Sequence, residues 1–239
     1  MQRAKKSLSQ NFLIDKNICK KIINQSNILN KVVLEIGPGY GALTDFILLK
    51  NPKKLYLIEK DVNLVKYLKQ KFQNNKKIII IEEDILKYDL NNLNKLIIFS
   101  NLPYNISTKI ILYLFNYNKN IIEMIFMIQK EVAEKFDYNL PNMNKYKFLT
   151  CLVSSFYRLF DVSSGVFFPK PKVQSTVVKF IFNNKDSDLE KGYYFTNLVF
   201  KNIRKKIGNN IKIKNSDKIF EKRVNELSIN ELMHIYNFF

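Results

Sequence analysis

Asn101-Leu102-Pro103-Tyr104 closes an apolar run, Lys95 to Phe99, and gathers acceptors and an aromatic ring at one place. The Asn101 side-chain oxygen can accept one N–H of an exocyclic base amine. The Leu102 backbone carbonyl can accept the other, because Pro103 holds the residue before it in extended geometry. An amine gripped at both N–H groups turns pyramidal. Its lone pair, otherwise delocalised into the base, can then attack an activated carbon. Tyr104 offers a face on which a flipped base stacks. Such a transfer is mostly positioning and desolvation and needs no strong base. That suits a chain whose one histidine, His234, stands near its C-terminal end. A proline-induced turn with a packed tyrosine would use the same residues, so the motif needs support from elsewhere.

Three acids and a glycine turn provide it. Glu35-Ile36-Gly37-Pro38-Gly39-Tyr40-Gly41 follows one apolar run directly and precedes a helical pattern. Glycines there let the backbone turn tightly and approach a ligand. Pro38 removes an N–H donor, and no Gly-Lys-Ser/Thr follows, which argues for a nucleoside-like ligand over a polyphosphate. Glu59 ends the next run, 22 residues after Gly37, where an acid accepts hydrogen bonds from ribose hydroxyls. Asp84 follows the third run and can take the exocyclic amine of an adenine. Glu35 is expected to orient the glycine loop. Solvated strand-end acids would look alike singly, but open α/β sheets bind ligands at this edge.

The elements that must hold these groups are legible as alternating patterns. Val32–Ile36, Lys54–Ile58, Ile78–Ile81 and Leu96–Phe99 are near-continuous apolar runs, as expected of parallel strands buried on both faces. Helical spacing occupies 42–50 and 61–73. Ile121–Ile128 predicts a fifth strand, Gln129–Lys135 and Tyr146–Arg158 predict helices, and two further strands fit 159–166 and 174–182. The expected fold is a doubly wound, Rossmann-like α/β sheet over 1–183. A polar stretch from Asn183 to Asp188 reads as a linker. After it, 190–239 is helical in pattern without a strand signal, and 184–239 is expected to be a small helical domain.

Composition sets the partner. The formal net charge is +18 over 239 residues, which points to nucleic acid. The chain holds 35 Lys, 4 Arg and 30 Asn, as an A- and T-rich genome would favour, but such drift does not create the excess of positive charge. Lys201, Arg204, Lys205, Lys206, Lys212 and Lys214 form a block with no acid between 201 and 214, suited either to nucleic-acid phosphates or to a solvated helix face. No apolar run reaches the roughly 18 residues of a membrane span, and the basic start lacks a signal peptide's apolar stretch. Cys19 and Cys151 form neither a metal-ligand spacing nor a disulfide framework, so no metal is expected and the thiols are expected to be reduced in the cytoplasm.

Asn101-Leu102-Pro103-Tyr104 resembles motif IV of adenine-N6 methyltransferases acting on ribosomal RNA. The resemblance covers nearly the whole chain. Lys6 to Leu13, Glu35 to Gly39, Gln129-Lys130-Glu131-Val132 and Phe167-Phe168-Pro169-Lys170-Pro171-Lys172-Val173 are similar to motifs of the KsgA-type small-subunit rRNA adenine N6,N6-dimethyltransferases. It implies a class I fold using S-adenosylmethionine, whose sulfonium is an activated leaving group. It implies that Gln10, Asn11 and Leu13 enclose the cofactor together with Gly37, Glu59, Asp84 and Asn101. Asn101, Leu102 and Tyr104 would hold the target adenine, with Phe167 stacking on its other side. From the residues alone, Phe167 and Phe168 fit a core equally well. The implied reaction is dimethylation of two adjacent adenines in the 3′-terminal hairpin of small-subunit rRNA. It would occur within a pre-30S particle, with the enzyme as a monomer and Arg204, Lys205 and Lys206 on the RNA.

Three alternatives differ in identifiable residues. The large-subunit methyltransferases of macrolide resistance typically read Gly-Ser-Gly and Asn-Ile-Pro-Tyr, where this chain has Gly37-Pro38-Gly39 and Leu102. DNA adenine methyltransferases usually carry Pro-Pro before the aromatic. A non-catalytic nucleic-acid binder would not need Asn101, Tyr104, Glu59 and Asp84 together. The C-terminal part is short for the family and has Ile203-Arg204 where consecutive arginines are common.

Overall fold

The apolar runs become the parallel strands of a seven-stranded sheet in a computed structural model that describes residues 11–183, 187–211 and 218–239, with the Ile78–Ile81 run only partly buried because it forms the sheet's edge. Strands β2 (Val32–Ile36), β3 (Lys54–Glu59), β4 (Ile78–Glu82), β5 (Leu96–Asn101) and β6 (Ile121–Gln129) are parallel, in the order β4-β3-β2-β5-β6. β9 (Ser175–Phe182) then pairs antiparallel with β6, and β7 (Ser154–Val162) with β9. Strand order reverses between β2 and β5, so their carboxyl ends flank the crevice where such sheets bind ligands. A separate two-residue pair, β1 (Phe12–Leu13) with β8 (Phe167–Phe168), lies outside the main sheet.

Alternation along the strands feeds two apolar layers. Leu34, Ile36, Ile58, Ile98 and Phe126 face one cluster, while Val33, Leu57, Ile97, Phe99 and Met127 face the other. Helices α1 (Lys16–Ile23) and α2 (Ala42–Leu49) bury residues in the second cluster. α3 (Val62–Lys71) packs beside β3 and β4. α4 (Ser107–Phe115), α5 (Lys130–Phe136) and α6 (Lys145–Val153) belong to the first cluster. So do the helices after residue 187: α7 (Leu189–Val199), α8 (Ile207–Ile211) and α9 (Ile229–Phe238). Phe195 of α7 and Tyr236 of α9 meet Phe148 of α6 at ring-centroid distances of 5.0 and 5.3 Å. Between α8 and α9 the described chain makes short 3-10 turns, and Lys206 forms an isolated bridge with Arg223.

One boundary differs from expectation. The helix expected over 146–158 ends at Val153, and the strand expected at 159–166 begins at Ser154 and stops at Val162. Phe148, Leu149, Leu152, Val153 and Phe156 keep helical spacing to the end. Ser154-Ser155 breaks the helix, and β9 supplies a ladder that captures Phe156 as a strand residue. Residues 164–166 form a 3-10 turn leading into β8.

Candidate active site

The glycine turn leaves β2 with left-handed backbone at Gly37 and Gly39, φ +62° and +59°. Side chains other than glycine adopt this region at a cost. At Gly37 an added Cβ would meet no atom within 4 Å, so the demand there is conformational and the backbone faces open space. At Gly39 an added Cβ would sit 3.1 Å from the Phe12 ring. The Gly37 N–H donates to the Ile58 carbonyl at 2.9 Å, tying the turn to β3. Below it, buried Glu35 accepts from the Thr44 hydroxyl of α2 at 2.6 Å. Burial pushes the Glu35 carboxyl up to about 8, and the Thr44 bond opposes that rise.

Glu59 ends β3 nearly buried. Its carboxylate accepts the Asp61 N–H at 3.0 Å and the Gly39 N–H at 3.3 Å. Burial raises its pKa, and these backbone donors counter it. A carboxylate has about four acceptor sites, so capacity remains for ribose hydroxyls. Asp84 caps the turn after β4 by accepting the Leu86 N–H at 3.0 Å, with the Lys60 ammonium 3.9 Å away.

Asn101 is the last residue of β5. Its Nδ2 donates to the Asn11 carbonyl at 2.8 Å, which commits the amide's donor end and leaves Oδ1 as the acceptor. The Leu102 N–H donates to the Met127 carbonyl at 3.1 Å, and its side chain is buried. These anchors set the backbone just before Pro103. The Tyr104 hydroxyl is 2.7 Å from the Ser175 hydroxyl, which holds the half-buried ring in place. Burial raises the Tyr104 pKa, so the phenol stays neutral.

One cavity of about 340 Å³ brings these groups together. Asn11, Leu13, Gly37, Glu59, Asp84, Asn101, Leu102 and Tyr104 all line it, with Phe12, Ile58 and Ile85 adding apolar wall. Its size is that of a small-molecule site. Two acids at one end, apolar faces between and an amide and tyrosine at the other fit a nucleoside cofactor beside a flipped base.

The other expected residues stand elsewhere. Gln10 lies outside the described residues. Phe167 pairs with Leu13, is 3% exposed within the second cluster and does not line the cavity. Phe168 beside it is 58% exposed. Arg204, Lys205 and Lys206 are exposed in the segment between α7 and α8, with Lys206 paired to Glu221. Lys212 and Lys214 lie outside the described residues.

Sequence reasoning missed Thr44, Ser175, Phe12 and the Asn11 carbonyl. The Phe12 ring packs 4.9 Å from Tyr40, centroid to centroid, and covers the glycine turn. Only Thr44, in the first turn of α2 after the glycines, had a local signal. The others act across the fold.

Comparison with known proteins gives a consistent set. A family model described as ribosomal RNA adenine dimethylase matches residues 1–238. A Pelagibacter ubique protein named ribosomal RNA small subunit methyltransferase A is 41% identical over 216 residues, 85% of this chain and 80% of its own. A protein of the same name from a Hydrogenobaculum species is 35% identical over 246 residues, covering 99% of this chain and 94% of its own. Among solved structures, the 23S rRNA methyltransferase ErmE superposes with a TM-score of 0.80 at 20% identity, covering 95% of this chain and 98% of its own. A dimethyladenosine transferase from Plasmodium falciparum also gives 0.80, at 22% identity, over 95% and 97% of the two chains. At such identities these two superpositions support the fold alone.

Proposed function

The chain belongs to the ribosomal RNA adenine dimethylase family, and on that premise we propose that it methylates adenine N6 in small-subunit rRNA, with S-adenosylmethionine as donor. The finer reading is dimethylation of two adjacent adenines in the 3′-terminal hairpin, in the cytoplasm, by a monomer acting on a pre-30S particle. In it, residues 1–183 are the catalytic unit and 184–239 a helical unit that helps dock the RNA.

The observation that carries this reading is Asn101, oriented by Asn11 and sharing one cavity with Glu59 and Asp84. When bound, S-adenosylmethionine supplies a methyl group on a sulfonium that departs as a neutral thioether. Glu59 accepts from its ribose hydroxyls and Asp84 from its adenine amine, with Asn11, Leu13 and Gly37 enclosing it. Gln10 joins them on the resemblance. At the target, Asn101 Oδ1 and the Leu102 carbonyl accept the two N–H groups and aim the nitrogen lone pair. The nitrogen so aimed would take that methyl group as the thioether leaves, and its surplus proton would pass to water. Tyr104, pinned by Ser175, stacks on the base. Phe167 stands here on the resemblance, and its burial supports a packing role for the ring. The exposure of Arg204, Lys205 and Lys206 supports phosphate contacts.

The test is methyl transfer from labelled S-adenosylmethionine to small and large ribosomal particles lacking adenine methylation. Dimethyladenosine is then mapped by reverse-transcription stops. Label in the small-subunit terminal hairpin is expected. Label in the large subunit alone assigns the chain to the resistance-type reaction, and label in neither overturns the reading.

A further inference from the structure

Phe168 follows the aromatic expected to stack on the base, yet the fold treats the two differently. In the β1–β8 pair, Leu13 faces Phe167 and Phe12 faces Phe168. Directly opposed residues of an antiparallel pair project to the same side. Leu13 and Phe167 are therefore the core-facing couple, at 5% and 3% exposed. Phe12 and Phe168 share the other side, and Phe12 lines the cavity against Gly39 and Tyr40. Register thus puts Phe168 on the same side of the pair as Phe12, next to the strand that walls the cavity, with its ring 58% exposed.

The chain beyond it is built for a polyanion. Lys170, Lys172 and Val173 are exposed, and among the described residues neither lysine has an ion-pair partner. No acid occurs from Val162 to Lys185. The turn is held at both ends, by β8 and by the Lys130 N–H donating to the Gln174 carbonyl at 3.1 Å. The next residue, Ser175, is the one that pins Tyr104. A lone exposed apolar side chain is ordinary on a protein surface. An exposed ring beside two unpaired lysines, on a turn fastened to the base-holding tyrosine, has the composition of a single-strand stacking platform.

We propose that Phe168, Lys170 and Lys172 form a second RNA subsite, which stacks the nucleotide flanking the target adenine and grips its phosphates. The subsite rests on the proposed rRNA reaction. It takes any base, because stacking reads no edge, and it keeps the strand splayed while the target occupies the cavity.

The experiment compares wild type, Phe168→Ala, Phe168→Tyr and the double variant Lys170→Ala/Lys172→Ala on whichever ribosomal particle accepts label. Stacking contributes roughly 1–3 kcal/mol per base, so Phe168→Ala is expected to raise KM for the particle about tenfold. The thermal shift given by S-adenosylmethionine should stay at the wild-type value, and Phe168→Tyr should restore KM. The lysine pair should flatten the salt dependence of particle binding, by about 0.7 in log–log slope per lost single-strand phosphate contact. A wild-type KM in Phe168→Ala, a loss that Phe168→Tyr does not rescue, or an unchanged salt slope overturns the subsite while the proposed function stands. Wild-type enzyme that labels neither particle overturns both.

Discussion

The role proposed for Asn101 requires its amide to point one way. The Asn11 carbonyl occupies the donor end, 2.8 Å from Nδ2, so the oxygen is what the cavity sees. Asn101→Ala removes that oxygen and leaves Glu59 and Asp84 in place. Turnover on the particle should fall by about 100-fold or more, as when one preorganised polar group is removed from other enzymes. Affinity for S-adenosylmethionine should change far less. Single-turnover rates set beside calorimetric binding separate the two, and near-wild-type turnover would remove Asn101 from the chemistry. Glu35 makes a different prediction, about stability. Its carboxyl titrates near 8 when folded and near 4.5 when free, so the folded state holds a proton that the unfolded state has released between those values. Its contribution is therefore fully present below about pH 4.5 and is lost as pH rises to about 8, by an amount on the order of a few kcal/mol. Glu35→Gln should melt progressively higher than wild type from pH 5 to 8 in cofactor-free protein. A melting difference independent of pH would contradict this.

At the level of elements, the glycine turn and β1 wall the cavity together, with Phe12 packed on the turn. The turn demands φ near +60° at Gly39, and the Phe12 ring lies where a side chain would grow. The Gly39 N–H also feeds the Glu59 carboxylate. Gly39→Ala should therefore disturb the turn, the aromatic cover and Glu59 together. We expect cofactor affinity to drop at least about tenfold, from a left-handed strain of roughly 1–2 kcal/mol plus the displaced ring. Isothermal titration with S-adenosylmethionine measures it, and an unchanged dissociation constant would show that the turn plays no part in binding. β5, by contrast, works by rigidity. Its Ser100 hydroxyl donates to the Ile36 carbonyl at 2.6 Å, so the strand end bearing Asn101 is bonded to the strand end bearing the glycine turn.

For the whole molecule, charge and the C-terminal helices act together. The +18 net charge would attract the rRNA of the proposed reaction at long range, while α7 and α9 share a core with α6 and so fix the basic segment relative to the sheet. The three basic residues there are not equal. Lys206 is paired with Glu221, whereas Arg204 and Lys205 carry no ion pair among the described residues. Replacing Lys205 with alanine should weaken particle binding and reduce its salt slope by up to about 0.9, one phosphate's share. Lys206→Ala should have a compound effect, because it also frees the Glu221 carboxylate to repel the RNA. Binding titrations over a salt series distinguish the two, and a slope unmoved by Lys205→Ala would leave that side chain as solvated surface.

The sequence by itself determined the parallel sheet, the glycine turn, the placing of Glu59 and Asn101 at strand ends and that of Asp84 in the turn just past β4. Those follow from local signals: apolar runs for strands buried on both faces, and Gly, Pro and acids where the runs stop. Only the tertiary structure decided that Asn11 orients Asn101, 90 residues away, and that Ser175 holds Tyr104, 71 residues away. Which strand ends meet is not written in any short window. It also decided the β7 boundary, where helical spacing ran on into residues that the β9 ladder claimed. The same holds for Phe167 and Phe168. A two-residue strand has no periodicity of its own, so its partner's register chose which ring enters the core and which faces the solvent.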